Sequence, residues 1–168
     1  MAYKYTFKDY DKEHMSRAAL LFADISHKNA LAVCKVLKNK NLQQAKRILG
    51  QIVKKKMPVY YGRYNREIAH KTGIGPGRYP VKIALRLTDL LNQVEANAQN
   101  KGLNTSQLKI THISVKRAHI PPHYGRRRGL RMKRAHVEVV VEESFEEEKK
   151  EKAQERKTQD KKIRKSNK

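Results

Sequence analysis

The chain has no tryptophan and only one cysteine, Cys34, in 168 residues. A lone thiol excludes an internal disulfide and any cysteine-based zinc finger. No stretch approaches the roughly 18–20 apolar residues of a membrane helix. The first thirty residues contain no apolar signal-peptide core. A soluble intracellular protein is the expectation. The Lys- and Arg-rich segments also lack the bulky apolar face needed to hold a basic chain on an anionic membrane.

Acids are the more informative scarcity. Lys and Arg number 39 against 16 Asp and Glu, a formal net charge of +23. From Ile25 to Val137 the only acids are Glu67, Asp89 and Glu95, against 25 Lys and Arg. The positive charge therefore belongs to the folded part and not merely to a tail. Such an excess repels itself in a compact state, so a polyanion is the natural partner. Nucleic acid fits best, because each phosphate contact releases condensed counterions. The same scarcity argues against catalysis, since metal-dependent nucleases cluster carboxylates around their ions and three scattered acids do not. Seven histidines include no HExxH and no Cys–His set at zinc spacing. "GIGPG" at 73–77 follows no strand and precedes no Lys-Ser/Thr, so it is neither a P-loop nor a dinucleotide fingerprint. No catalytic residue, cofactor or metal is expected.

Periodicity organises the rest. Tyr3, Tyr5 and Phe7 alternate as in a short strand. Ser26 reads as the cap of a first helix, with Ala30, Val33, Cys34 and Leu37 on its apolar face and Cys34 as buried core. Asn41 with Gln44 resembles a capping box for a second helix. Ala45, Ile48, Leu49, Ile52 and Val53 form its stripe, and Lys54–Lys56 close it. The third helix runs from Pro80 to a stop at Gly102, with Ile83, Leu87, Leu90, Leu91, Val94 and Ala98 on one face. Between the second and third helices, Met57–Gly77 reads as a long ordered loop. Its Tyr60, Tyr61, Arg63, Tyr64 and Arg66 suit either stacking and phosphate contact or folding back onto the core. After the third helix, one strand from Lys109 to Arg117 and another with Val137, Val139 and Val141 alternating against Glu138 and Glu142 make a hairpin over 110–141.

The hairpin's far end, "AHIPPHYGRRRGLRMKRAH" (118–136), holds six Lys and Arg and no acid. Gly125 and Gly129 allow sharp turns there, and Pro121–Pro122 stiffen the approach. With about 15 residues per arm, the hairpin could reach on the order of 40–50 Å. A two-stranded hairpin is marginal alone in water, so one carrying this charge is expected to be ordered by a partner. His119, His123 and His136 crowd the same region. They read as polar stacking groups in preference to an acid–base pair that would cleave RNA. The expected fold class is α+β: a small single domain over 1–145, with three helices packed on a short antiparallel sheet and a long protruding β-hairpin. A charged tail over 146–168 follows; its "KKIRK" matches a nuclear-import cluster only by composition.

The segments "SHKNALAVCKVL" and "GRYPVKIALRLTDLLNQVEANAQNKGL", together with the strand pair around the basic tip, resemble the L-twenty-two family of large-subunit ribosomal proteins over about Tyr3 to Glu143. The "GPGRYP" element is similar to the archaeal and eukaryotic branch. The resemblance implies a non-enzymatic constituent of the cytoplasmic ribosome that binds large-subunit rRNA and lines the polypeptide exit tunnel with its hairpin. Its implied partners are rRNA, neighbouring ribosomal proteins and the nascent polypeptide; no obligate homo-oligomer and no membrane is implied. It marks Ser26, His27 and Lys28 at the first helix start and Arg78 and Lys82 around the third. From the hairpin it marks Arg126, Arg127, Arg128, Arg131, Lys133 and Arg134, all as rRNA contacts; by their charge alone, Arg63 in the loop and Lys116 and Arg117 at the end of the first arm are further expected contacts. His123, Tyr124, Gly125 and Arg126 would form the tunnel tip. A run of "HYGRRRGLRMK" stands where archaeal members usually have a small-Gly-Arg-small run. The alternative is a free-standing RNA chaperone or regulator using the same charge.

Overall fold

The computed structural model describes residues 3–144, and the tail read over 146–168 lies outside them. Three helices, α1 (His27–Leu37), α2 (Leu42–Val53) and α3 (Val81–Asn100), pack on a three-stranded antiparallel sheet. Its strands are β1 (Met15–Ala23), β5 (Leu108–Arg117) and β6 (Ala135–Glu143), in the order β1-β6-β5. The segment read as a long loop instead folds into a second small sheet of β2 (Val59–Tyr60), β3 (His70–Lys71) and β4 (Gly75–Arg78), with β4 central. Its strands of two to four residues are too short to show a hydrophobic period, which is why they read as loop. The α+β architecture is as expected.

The helical stripes are buried as their spacing requires: Ala30, Val33, Cys34 and Leu37 on α1, and Ile83, Leu87, Leu90, Leu91, Val94 and Ala98 on α3. Burial pushes the Cys34 thiol up to about 12, as befits a core side chain that does not ionise. Gly102 ends α3 at φ +77°, its N–H donating to the Gln99 carbonyl while that of Leu103 donates to Ala98, a complete Schellman stop. The helix starts depart from the sequence reading. Ser26 and Asn41 occupy the N-cap positions, but neither side chain makes a capping bond, and Pro80 sits at the cap and not in the first turn.

Two strand assignments also change. Tyr3–Phe7 joins no sheet, and the strand that pairs with β6 is "MSRAALLFA", Met15–Ala23. Small residues hid it: Ser16 and Ala18 face α3, where the close approach leaves no room for bulk, and Ala favours helix over strand. Strand β6 is buried on both faces, so Glu138 is not the solvent-facing residue that alternation suggested. Val137, Val139 and Val141 join the helical core on one face. On the other face Glu138 is 1% exposed.

A register break explains how that carboxylate is satisfied. Ile110 pairs with Val141 and His112 with Val140, leaving Thr111 as a bulge residue. The extra residue switches the parity of β5: Leu108 and Ile110 before it, and Ile113 and Val115 after it, all face the core. His112, Ser114 and Lys116 are thereby turned toward Glu138. Ser114 donates to Glu138 Oε1 at 2.8 Å, His112 Nε2 lies 3.3 Å from the same oxygen, and Lys116 Nζ is 3.5 Å from Oε2. The N-terminal segment closes the face, with Tyr3 Oη and the Thr6 amide donating to Oε2 at 3.0 and 3.2 Å. The alternation of Tyr3, Tyr5 and Phe7 is therefore real but serves packing: Phe7 lies against His112, and the Arg17 guanidinium sits 4.4 and 4.3 Å from the Tyr5 and Tyr10 ring centres.

Burial raises the Glu138 carboxyl, but the hydrogen bonds from Thr6, Ser114 and His112 outweigh it and bring it from 4.5 down to about 2. A pKa lower in the fold than in the unfolded chain stabilises above the unfolded value. That contribution is lost as pH falls from about 4.5 toward 2. Glu138→Gln should cost on the order of 2–3 kcal/mol at pH 7 and flatten the acid dependence of stability in that window. Urea melts of both proteins at pH 7 and pH 3 check this; equal midpoints at pH 7 would show that the buried network contributes nothing.

Candidate nucleic-acid interface

The sheet that buries β6 also sets the hairpin's root. The ladder between β5 and β6 runs to Arg117↔Ala135, so both arms' bases lie inside the domain. Only 118–134 extends beyond it, at most about eight residues per arm and on the order of 26 Å at full extension. The 40–50 Å hairpin inferred from 110–141 is thus halved as a protrusion, because half its length is core strand. Beyond the ladder the arms stay joined by sparse bonds. Ala118 N–H donates to Arg134 O at 3.3 Å, Met132 N–H to Pro121 O at 2.9 Å and His123 N–H to Leu130 O at 2.9 Å. Gly125 takes φ +63° and opens a short 3₁₀ turn, Gly125–Arg127; Gly129 does not adopt a positive φ.

A strained residue ties the neck down. Phe22, at φ +50° in the irregular end of β1, donates its N–H to His136 Nδ1 at 3.1 Å and accepts from Arg134 Nη1 at 3.2 Å. Its ring meets the His136 ring edge-on at 4.6 Å. His136 thus anchors the hairpin neck to β1.

Past this clamp the charge stands exposed. Arg126, Arg127, Arg128, Arg131 and Lys133 are exposed and have no acidic partner among the described residues, while Tyr124 is 88% exposed. His123 is half-buried beside them. At the neck, Ser26, His27, Lys28, Arg117, Lys133 and Arg134 converge on one small cleft. Next to it, Ser26, Lys28, Arg66, Arg78 and Lys133 line a larger cleft of about 630 Å³ that also holds Tyr61, Tyr64 and Glu67. Arg63 and Tyr64 reach a third, with Lys28 and Lys35. The fold thus gathers the start of α1, the small sheet and the hairpin neck into one cationic face.

Two predicted contacts are placed otherwise. Lys116 turns back to the buried Glu138 and toward the Tyr3 ring. Lys82 is 2.6 Å from Asp24, which it shares with Arg86, and its hydrogen bond holds the Asp24 carboxyl below its usual range. Both cations are already partly neutralised within the domain. Conversely, Arg66 and Lys35 line the basic clefts, although the family resemblance does not mark them as contacts. Arg66 is visible in the interleaved Tyr/Arg run; Lys35 carries no signal beyond its charge.

The aromatic loop divides between its two readings. Tyr61 folds onto the core, 3% exposed, and its burial raises the phenol against the opposing pull of Arg78. Tyr60 and Tyr64 stay outside, 49% and 58% exposed, with the Lys28 ammonium 4.4 Å from the Tyr64 ring centre. Among the described residues no three His, Cys, Asp or Glu are grouped to hold a metal, and no helix is long and apolar enough to cross a membrane.

The start of α1, the small sheet and the hairpin form a cationic face with exposed rings on an α+β core, a surface complementary in charge to a polyanion. Residues 18–142 match the family described as ribosomal protein L22p/L17e. The large ribosomal subunit protein uL22 of Picrophilus torridus is 43% identical over 148 residues, covering 85% of this chain and 98% of that protein. The uL22 proteins of Thermoplasma volcanium and Thermofilum pendens are 39% and 34% identical, over 78% and 80% of this chain and 92% and 93% of their own lengths. The chain belongs to the ribosomal protein L22p/L17e family, which is not a family of enzymes.

Replacing Arg126, Arg127 and Arg128 together by alanine should weaken RNA binding and flatten its salt dependence. The log–log slope should fall by up to about 0.7–0.9 for each phosphate that the variant no longer binds. Titrations across a salt series measure it, and an unchanged slope would place the tip away from phosphate. In the free protein, amide exchange should be fast over 119–131 and slow in β5 and β6, since the outer arms have few bonds and no packing. Slow exchange at the tip without RNA would contradict a hairpin ordered by its partner.

Proposed function

We propose that the chain is a structural constituent of the large subunit of the cytoplasmic ribosome. It binds large-subunit rRNA through the cationic face and lines the polypeptide exit tunnel with its hairpin tip. The observation that carries this reading is the contrast along one hairpin. Its base is paired through the core sheet apart from the bulge at Thr111, while its end holds five exposed cations with no acidic partner among the described residues. A hairpin of that build is stable where phosphates surround it, each guanidinium forming charge-assisted bonds to them. The relatives' shared name, large ribosomal subunit protein, supplies the setting.

Within that setting the residues take distinct roles. Arg117, Arg126, Arg127, Arg128, Arg131, Lys133 and Arg134 meet rRNA along the hairpin; Ser26, His27, Lys28, Arg63 and Arg78 meet it on the domain. Lys82 and Lys116 contribute through their ion pairs, holding the surfaces that carry the others. His123, Tyr124, Gly125 and Arg126 form the tip beside the nascent polypeptide, where the 88% exposed Tyr124 offers an apolar and polar edge to a passing chain. Neighbouring ribosomal proteins are further partners. The domain needs no second copy of itself, because one chain completes the core.

A photo-crosslinking residue placed at Tyr124, in ribosomes holding a stalled labelled chain, should join the nascent polypeptide. Crosslinks to rRNA alone would keep the ribosomal placement and remove Tyr124 from the tunnel wall. A protein that leaves large subunits in a moderate-salt wash would instead be a free-standing RNA chaperone.

A further inference from the structure

The start of α1 is built like an anion site with more than charge around it. The first-turn amides of His27, Lys28 and Asn29 have no intrahelical acceptor, since the first such bond is Ala30 N–H to Ser26 O at 2.9 Å. Ser26 does not cap them, and no acid lies in the first turn. A second observation points the same way. Among the described residues, the buried side-chain polar atoms without a hydrogen-bond partner are Tyr61 Oη and His27 Nδ1. Both residues line the clefts around this helix start. A buried hydroxyl left unpaired is costly, so a group that arrives to accept from it is favoured.

The two clefts that meet here are both cationic, but only one has an aliphatic wall. Lys28, Tyr61 and Tyr64 form a wall common to both. On one side lies the 630 Å³ cleft with Arg66, Arg78 and Lys133. On the other, about 430 Å³ is lined by Leu31, Ala32 and Gly62 beside the Tyr64 ring, with Lys35 and Arg63. Tyr64 is held at φ +57°, a conformation non-glycine residues rarely keep without a use for it, and still presents 58% of its surface. A polar cationic cleft and one that adds aliphatic side chains and an exposed ring to its cations, across a single shared wall, match the two halves of one nucleotide.

We infer that this double cleft is a socket for a single unpaired nucleotide of bound RNA, with the phosphate at the α1 amides and Arg78 and the base on Tyr64. The inference rests on the RNA-binding reading above and narrows it. A base inside a duplex is stacked on both faces and cannot reach an aromatic platform, whereas an unpaired base turned outward can. The Tyr61 hydroxyl, kept protonated by its burial, donates to the nucleotide. Lys28 leaves the Tyr64 ring to meet the phosphate.

The test uses the full chain and two labelled RNA hairpins with the same stem, one fully paired and one with a single bulged uridine. The bulged RNA should bind about tenfold tighter, and Tyr64→Leu should remove that preference, as expected when one base stack is removed. Tyr61→Phe should weaken binding of the bulged RNA about fivefold, leave the paired one alone, and keep or raise the melting temperature of the free protein. A lower melting temperature for Tyr61→Phe would mean that the hydroxyl has an internal partner, and the socket would fall. Equal binding of the two RNAs, insensitive to both substitutions but weakened by the alanine triplet at 126–128, would also overturn it while leaving the RNA-binding reading intact. If the triplet too had no effect on either RNA, that broader reading would fail with it.

Discussion

The central position of β6 is the constraint from which the rest follows. A strand hydrogen-bonded on both edges and buried on both faces needs two covers. Its valine face is covered by the helices. Its other face carries a carboxylate, and a buried charge survives only when fully paired. Glu138 therefore dictates what lies on that side: Ser114, His112 and Lys116 from β5, and Tyr3 and Thr6 from the N-terminal segment. The bulge at Thr111 lets β5 serve both faces, giving its apolar residues to the core and its polar ones to Glu138. The same strand continues back through Ala135 into the hairpin neck, so a rigid β6 also fixes where the basic end points.

Helices are easy to read in this sequence and strands are not, for a physical reason. A helix displays its stripe over many residues, as α3 does from Ile83 to Ala98, and a Schellman glycine marks its end. A strand displays its period over five or six, and one bulge erases it. The bulge at Thr111 reverses the parity of β5, and β1 uses alanine and serine where α3 comes close. Burial of Glu138 is invisible in the sequence because its partners come from 22 to 135 residues away. No local pattern encodes such a meeting.

The site is legible to the extent that charge is. A segment with six cations and no acid identifies itself, and the family resemblance adds the start of α1. Charge alone does not separate cations that face outward from those the domain neutralises for itself. Lys116 and Arg117 are adjacent in sequence, yet strand alternation sends Lys116 to Glu138 and leaves Arg117 exposed. The division of the tyrosines is likewise undecidable without the small sheet, whose β4 carbonyl at Pro76 accepts from Tyr61 N–H at 2.9 Å and turns its ring inward.

The few acids of the basic region and its borders are used selectively. Asp24 meets Lys82 and Arg86, Glu95 meets Lys46 and Gln43, and Glu138 meets Lys116. Each of these pairs lies where the chain must be compact, against α3 or across the sheet. None lies beyond the Phe22 clamp on the hairpin. Repulsion is thus reduced where it would oppose folding and left in full where a polyanion is to relieve it. The consequence is a division of labour in free energy: hydrophobic burial holds the domain, and the hairpin end carries charge that the domain leaves unneutralised. If the proposed rRNA contact is made, the charge that weakens the free hairpin is also what drives its docking.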